Sequence, residues 1–445
     1  EMKKYILSIL LLLILAFTFT GGPSAWQEQS MPYLGGRIIS DITFTDSLTG
    51  YAITGDGTVG DTNYVLKTTN GGNNWNITTT LFKDLSRIIF LNNSTGYLAG
   101  GFNSSPGRYL AKTTNGGDSW DTIETPDAVR INDIAVLNEN YIWILHAGIN
   151  YTVLRTTNSG LNWIQQYSSL SPLNKIYFYN NNLGFFCNNS TLWRTTNSGQ
   201  NWNEVPGELG YRDIQFVDSM TAWKANIFLN DTNFRKTTNG GVNWFVQKLP
   251  SGGMITTSSG IQKFSIINKD SLWGSGGAIR LPDNSLRGIL FLTTNGGNNW
   301  KYQIPDTSYK IPVFTSIKFI NKNIGWSYSQ YFDPQQGLVV VKGIHTTTGG
   351  DTTFLSSLSQ IGTLIPEEYN LYQNYPNPFN PTTSIKFKVQ SSKFISLKVY
   401  DITGKEITEL VNEQLPAGEY EYKFNGSGLT SGIYFYSLFL DNKIY

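Results

Sequence analysis

The chain has 445 residues, enough for two domains and a large buried core. Its 33 Lys and Arg stand against 32 Asp and Glu, and only 15% of residues are charged, so there is no overall field to gather nucleic acid or an anionic membrane. Aromatic residues make up 14% and there are 44 glycines, a composition that excludes a disordered or fibrous chain and favours many short strands joined by tight turns.

The chain opens with Lys3-Lys4, an apolar run from Tyr5 to Phe19, and then Gly21-Gly22-Pro23-Ser24-Ala25, the charge, core and small-residue order of a secretory signal. About 15 apolar residues fall short of the roughly 20 that span a bilayer, so residues 1–25 are expected to be a removable signal peptide. No later stretch is long and apolar enough to span a membrane once the signal is gone. Cys187 is the single cysteine, which excludes an intramolecular disulfide and leaves a buried apolar role.

One motif then recurs six times, first as Lys67-Thr-Thr-Asn-Gly-Gly-Asn-Asn-Trp75 and again in runs ending at Trp120, Trp163, Trp202, Trp244 and Trp300. A seventh, degenerate copy reads His345-Thr-Thr-Thr-Gly-Gly-Asp351 and has no tryptophan after it. A second pattern precedes each copy. Ile42, Ile88, Ile134, Ile176, Ile214, Phe264 and Ile317 are each followed two residues later by Phe44, Phe90, Val136, Phe178, Phe216, Ile266 and Phe319, which is strand alternation. Nine residues after each member of the first set lies an aromatic: Tyr51, Tyr97, Trp143, Phe185, Trp223, Trp273 and Trp326. Each unit therefore supplies an inner strand, a tight turn, an aromatic-bearing second strand, a variable connection, and the motif between a third and a fourth strand. Such a four-stranded unit has two apolar faces and cannot bury either alone, so seven of them are expected to close into one ring.

The motif resembles the Asp-box of β-propellers, with Asn70, Asn115, Asn158, Asn197, Asn239 and Asn295 in the aspartate position and Trp75, Trp120, Trp163, Trp202, Trp244 and Trp300 packing between blades. The repeat is also similar to that of the photosystem II stability and assembly factor family, a resemblance that implies fold. The tryptophan missing from blade seven has a candidate in Trp26. It lies 16 residues before Ile42, within the 12 to 20 that separate the other motif tryptophans from the next inner strand. The segment from Trp26 to about Pro32 is expected to add the outer strand of blade seven, the alternative being completion by Phe354 and its neighbours.

From about Pro366 the repeat stops. Tyr375-Pro-Asn-Pro-Phe-Asn-Pro-Thr-Thr383, Ile385-Lys-Phe-Lys-Val389, Leu397-Lys-Val-Tyr-Asp-Ile-Thr-Gly-Lys405, Leu415-Pro-Ala-Gly418 and Leu429-Thr-Ser-Gly-Ile-Tyr-Phe-Tyr436 together resemble the type A sorting domain of type IX secretion. The resemblance implies a small β-sandwich, recognition by the type IX machinery, and a final destination in the medium or on the outer surface of a Gram-negative bacterium. Members of that family usually finish with a further strand rich in lysine and apolar residues, whereas here the sequence reads Asn442-Lys443-Ile444-Tyr445, so a sorting domain truncated at its C-terminus is expected. The expected organisation is all-β: signal peptide 1–25, seven-bladed β-propeller 26–360, and a small immunoglobulin-like β-sandwich 366–445.

Function is harder to read. Propellers with Asp-boxes include sialidases and endoglucanases, and glycoside hydrolysis needs two carboxylates about 5 to 9.5 Å apart across the scissile bond. No Arg-Ile-Pro motif and no Tyr-Glu pairing with suitable arginines is found, and two histidines, His146 and His345, support neither a histidine metal cluster nor a triad. The expected function is a non-catalytic binding or scaffold protein without cofactor or metal, whose ligand is a protein or polysaccharide, with glycoside hydrolase the alternative. Any ligand is expected on the face opposite the Asp-box turns, where connections vary in length. The two longest intervals contain Arg280, Asp283 and Arg287 in blade six and Tyr328, Tyr331, Phe332 and Asp333 in blade seven. Finally, the residues just before the inner-strand Ile or Phe are Asp41, Arg87, Asp133, Lys175, Asp213, Lys263 and Ser316, whose signs alternate. They are expected to form a belt of inter-blade ion pairs that leaves the central channel without a sign preference.

Overall fold

The computed structural model describes residues 25–55, 62–101, 109–126, 130–227, 234–250, 255–256, 260–281, 283–333, 338–350, 358–362, 365–380, 382–415, 417–426, 429–440 and 443–444. The expected signal peptide up to Ser24, and Phe354, lie outside them. Nine four-stranded sheets occur among the described residues. Seven are propeller blades, whose inner strands are Ile38–Phe44, Leu85–Phe90, Arg130–Val136, Lys175–Phe178, Tyr211–Phe216, Lys263–Ile266 and Ser316–Phe319. Six blades take their four strands consecutively from the chain. The seventh takes three, Ser316–Phe319, Gly325–Asp333 and Leu338–Thr346, and its outer strand is Gln27–Ser30 from the other end of the chain. That strand runs antiparallel to the third, with Gln27 opposite His345 and Ser30 opposite Lys342.

Trp26 then stands where the motif tryptophans stand in the other blades. Trp75, Trp120, Trp202 and Trp244 each meet the phenylalanine of their own inner strand edge-on, at 5.7, 6.0, 5.8 and 6.3 Å from Phe44, Phe90, Phe178 and Phe216. Trp26 meets Phe319 in the same way at 5.9 Å, is fully buried, and donates its indole N–H to Gln303 Oε1 at 2.8 Å. A Cβ on Gly350, the second glycine of the degenerate motif, would lie 2.8 Å from the Trp26 indole nitrogen. Glycine is therefore required there by the close approach as well as by its φ of +83°.

The other side of each inner-strand phenylalanine is covered by the preceding blade. Tyr51 stacks on Phe90 at 3.5 Å, Trp143 on Phe178 at 3.7 Å, Trp273 on Phe319 at 4.9 Å and Trp326 on Phe44 at 3.8 Å. The periodic aromatics of the second strand are thus the inter-blade glue, each pair adding about 0.5–1.5 kcal/mol to its burial. Basic residues just before the buried motif threonines reach across the same interfaces. Lys67 meets Asp118 at 3.2 Å, while Arg194 Nε and Lys236 Nζ donate to the carbonyls of Gly240 and Gly296, both at 2.7 Å.

Every repeat turn closes by one set of hydrogen bonds. Thr68 Oγ1 donates to Asn70 Oδ1 at 3.0 Å and accepts from the Gly72 amide at 2.9 Å, while Asn70 Oδ1 also accepts from the Asn74 amide at 2.9 Å. Thr113, Thr156, Thr195, Thr237 and Thr293 repeat this pattern. In blade seven Thr346 keeps the glycine amide at 2.9 Å but finds Thr348 in place of asparagine. The turn after each inner strand is an Asx turn built on Asp46, Asn92, Asn138, Asn180, Asp218, Asn268 and Asn321, each accepting from the amides two and three residues on.

The remaining two sheets form the C-terminal β-sandwich. One contains Leu358–Gly362, Gly418–Asn425, Thr382–Val389 and Asn370–Leu371, the other Glu406–Leu415, Lys393–Tyr400, Phe435–Leu440 and Lys443–Ile444. Ile385, Phe387, Val389, Leu397 and Val399, the inward members of the alternating runs, fill its core. Leu358–Gly362 pairs with Gly418–Asn425, so residues 358–360, expected as the end of the propeller, belong to this sheet. Truncating a fully buried tryptophan costs about 3–5 kcal/mol, so Trp26→Ala is expected to lower unfolding free energy by about that much in urea titration. Phe332→Ala, at an exposed side chain, should change it by no more than about 0.5 kcal/mol.

Candidate functional site

The two kinds of turn share one face. The first glycine amide of the repeat turn donates to a carbonyl of the Asx turn in the same blade, as in Gly71 to Leu48 at 2.8 Å and Gly349 to Asn323 at 2.7 Å. The opposite face therefore carries the hairpins between second and third strands and the connections between blades. On it, the two longest intervals are extended hairpins more than loops. In blade six Leu272–Arg280 pairs with Leu286–Thr293 out to Arg280 opposite Leu286, and in blade seven Gly325–Asp333 pairs with Leu338–Thr346 out to Asp333 opposite Leu338. Tyr328 is not a loop residue. It is buried, its hydroxyl donates to Gln29 Oε1 at 2.8 Å, and its ring lies edge-on to Trp75, because it sits on the core face of a longer strand. Arg280 and Arg287 donate to the carbonyls of Asn284 and Thr307 at 3.1 and 2.9 Å, and Asp283 accepts from the Ser285 amide at 2.9 Å, so these side chains fasten the hairpin. Tyr331, Phe332 and Asp333 lie at the end of the blade-seven strand, with Phe332 62% exposed.

The inner strands enclose an axial cavity of about 410 Å³. Of the charged residues in the expected belt, Asp41, Arg87, Asp213 and Lys263 line it, along with Ser316. Asp133 is buried behind it. Arg87 is the hub, with Nη1 3.1 Å from Asp41 Oδ2 and Nε 3.1 Å from Asp133 Oδ1, and Lys175 stands 4.0 Å from Asp133. The Asp41 carboxylate, with Asp133 beyond it, holds the Arg87 guanidinium above its ordinary range. The ion pairing stops there. Among the described residues no carboxylate comes within 4.0 Å of Lys263, whose Nζ reaches the Arg212 carbonyl at 3.5 Å.

All three aspartates have a second task that the charge pattern did not announce. Asp41 accepts from the Ile88 amide at 3.1 Å, Asp133 from Ile176 at 3.0 Å and Asp213 from Phe264 at 3.3 Å, in each case the inner strand of the next blade. Blades one, three and five are thereby clamped to blades two, four and six. Neutral side chains do the same at the interfaces between: the Phe216 amide donates to the Tyr177 hydroxyl at 3.1 Å and the Phe319 amide to the Ser265 hydroxyl at 2.9 Å. The cavity lining also includes Lys318, two residues beyond Ser316, which the belt position missed. Lys318 is open to the cavity yet ringed by protein, and loss of hydration holds it and Lys263 below the ordinary lysine range.

A second cleft of about 310 Å³ lies on the variable-connection face between blades three and four, lined by Arg130, Asn132, Ala147, Tyr151, Pro172 and Asn174. Arg130 begins the inner strand of blade three, while Ala147 and Tyr151 flank its second hairpin, so three separate segments meet there. Arg130 is exposed, and among the described residues no carboxylate lies within ion-pair distance of it. Ile149, in the hairpin, and Leu170, just before Pro172, are both almost fully exposed. Sequence reasoning missed this cleft, since its residues converge only through folding; an arginine at an inner-strand start was the one available signal.

Cys187 is buried between blades four and five, where its sulfur accepts from the Tyr211 amide at 3.4 Å, and burial pushes its thiol up to about 12. It is expected to resist iodoacetamide at pH 8 in the folded protein and to react on unfolding. Arg87→Met would strand two carboxylates, and is expected to cost about 3–5 kcal/mol in urea titration. Lys175→Met, which removes one half-exposed partner, should cost about 1 kcal/mol or less.

No curated protein matches the chain. Among solved structures it is similar to YCF48 bound to a D1 peptide, at 18% identity and a TM-score of 0.34, covering 73% of this chain and 95% of that one. It is similar also to YCF48 from Cyanidioschyzon merolae, at 13% identity, a TM-score of 0.39 and coverage of 89% and 98%. The GH74 enzyme of Niastella koreensis matches at 11% identity, a TM-score of 0.39 and coverage of 89% and 84%. The propeller assignment rests on the strand pairing itself. No helix among the described residues is long and apolar enough to cross a membrane. Residues 373–444 match the family described as secretion system C-terminal sorting domain. The chain is therefore a seven-bladed β-propeller carrying a type IX sorting domain, which destines it for the cell surface or the medium.

Proposed function

We propose that this exported propeller is a non-catalytic binding protein whose ligand, a protein or polysaccharide, is taken on the face opposite the repeat turns. The observation that carries the reading is the cleft at Arg130. An exposed guanidinium with no acidic partner among the described residues, beside Tyr151, Asn132 and Asn174, suits a ligand that offers a carboxylate to the guanidinium fork and a flat or hydroxylated surface to the ring and amides. The extended hairpins of blades six and seven, with Phe332 at the rim, stand on the same face as a second contact region. The repeat turns read as Asp-boxes with a structural role, since their threonine and asparagine oxygens are occupied by the turn itself. Residues 1–25 read as the signal peptide, and the type IX machinery as the partner of the sorting domain.

The alternative, a glycoside hydrolase, would require a pair of carboxylates held apart across a substrate. Against it stand the inner-strand aspartates, each committed to a backbone amide of the next blade and two of them sharing one arginine. The test is a glycan and peptide array with the purified chain, run beside a hydrolase substrate panel. Binding should weaken about ten-fold or more in Arg130→Ala, the loss of a charge-assisted contact, and stay unchanged in Leu161→Ala on the repeat-turn face. Turnover of any glycan, or binding indifferent to Arg130 and sensitive to the repeat-turn face, would overturn the reading.

A further inference from the structure

The axial cavity does not have balanced charge. Three cations, Arg87, Lys263 and Lys318, line it against two carboxylates, Asp41 and Asp213. The imbalance is also lopsided. On the side of blades one to four Arg87 and Lys175 stand against Asp41 and Asp133, so that half is neutralised internally. On the side of blades six and seven Lys263 touches a backbone carbonyl at the limit of hydrogen bonding, and no acidic partner lies within 4.0 Å of it or of Lys318 among the described residues. The nearest acid, Asp213, spends its carboxylate on the Phe264 amide at 3.3 Å and the Gln215 side-chain amide at 3.2 Å. Two cations without an acidic partner within 4.0 Å among the described residues, lining one axial cavity, form an incomplete arrangement. A negatively charged acceptor would complete it.

We propose that the axial channel is a binding site for a small oxyanion, a carboxylate or phosphate group held by Lys263 and Lys318. The volume of about 410 Å³ accommodates a phosphate or a small dicarboxylate with water, and is too narrow for a folded partner. The anion would stand in for the carboxylate that blade seven lacks. In blades one, three and five an aspartate supplies the negative charge, whereas Ser316 occupies the equivalent position in blade seven. The reading reverses the expectation of a channel without sign preference, and Lys318 is the residue that reverses it. It does not depend on the cleft at Arg130.

The experiment is isothermal titration of the full chain with inorganic phosphate and, separately, with succinate and with acetate. At least one should bind saturably at one site, and comparison of the three arms distinguishes a phosphate from a dicarboxylate or a single carboxylate. Lys318→Gln and Lys263→Gln should each weaken that binding about ten-fold or more, and Lys301→Gln, on an outer strand, not at all. Arg130→Ala should leave it unchanged, which separates this site from the proposed ligand cleft. If either glutamine variant fails to fold, the corresponding arginine variant, which keeps the charge, should retain binding within a few-fold. Absence of saturable binding in all three arms, or equal affinity in Lys318→Gln and the wild type, would overturn the proposal.

Discussion

Everything in the propeller depends on one long-range contact, the insertion of Trp26 and the strand behind it into blade seven. A blade exposes two apolar faces, and seven blades bury them only if the last meets the first. Blade seven cannot do this with its own residues, because its degenerate repeat turn keeps the threonine clamp but has no tryptophan to follow it. Trp26 supplies the missing ring, edge-on to Phe319 and Trp273, and the strand Gln27–Ser30 pairs with Leu338–Thr346. Gln29 then reaches onward into blade one, donating to the Gly71 carbonyl at 2.8 Å, and Tyr328 takes the same glutamine as acceptor. The two ends of the ring are joined by strand pairing, aromatic packing and a buried hydrogen-bond chain at one seam.

A ring closed in this way leaves its two faces with different freedom. On one, repeat turns and Asx turns are bonded to each other and to the neighbouring blade, so substitutions there act on the fold. On the other, hairpins and connections project from a fixed rim, and the cleft at Arg130 is assembled from three of them. Within the channel the same logic has consumed the acids, which serve as inter-blade clamps before they serve any ligand. What is left over there is positive charge on Lys263 and Lys318. Export under the direction of the sorting domain, followed by the proposed binding on a rigid scaffold, is the use this arrangement supports.

Much of the fold was legible because it repeats. The spacing from Ile42 to Tyr51, echoed in every blade, reports one residue on an inner strand facing the preceding blade and one on a second strand facing the next. Trp26 was legible for the same reason, as a tryptophan at the distance from Ile42 that the repeat prescribes. The site was less legible, because its residues do not repeat. Tyr328 lies in a long interval, and interval length cannot distinguish a loop from a strand that continues; only its pairing with Gly343 places it in the core. The alternating signs did not announce that Asp41, Asp133 and Asp213 also accept amides of the next blade, nor that only Arg87 joins two of them by charge. Arg130, Tyr151 and Asn174 carry no shared signal at all, being brought together by the crossing of blades three and four.

The closure of the ring by its N-terminal strand is the claim on which the rest stands. Amide hydrogen exchange tests it most directly, by following the third strand of blade seven, Leu338–Thr346, in the full chain and in a chain lacking residues 1–30. With the strand present, the amides of Gly343 to His345 should be among the slowest to exchange. Without it, protection should collapse there and in the adjoining faces of blades one and six. Equal protection of that strand in the two chains would contradict the account.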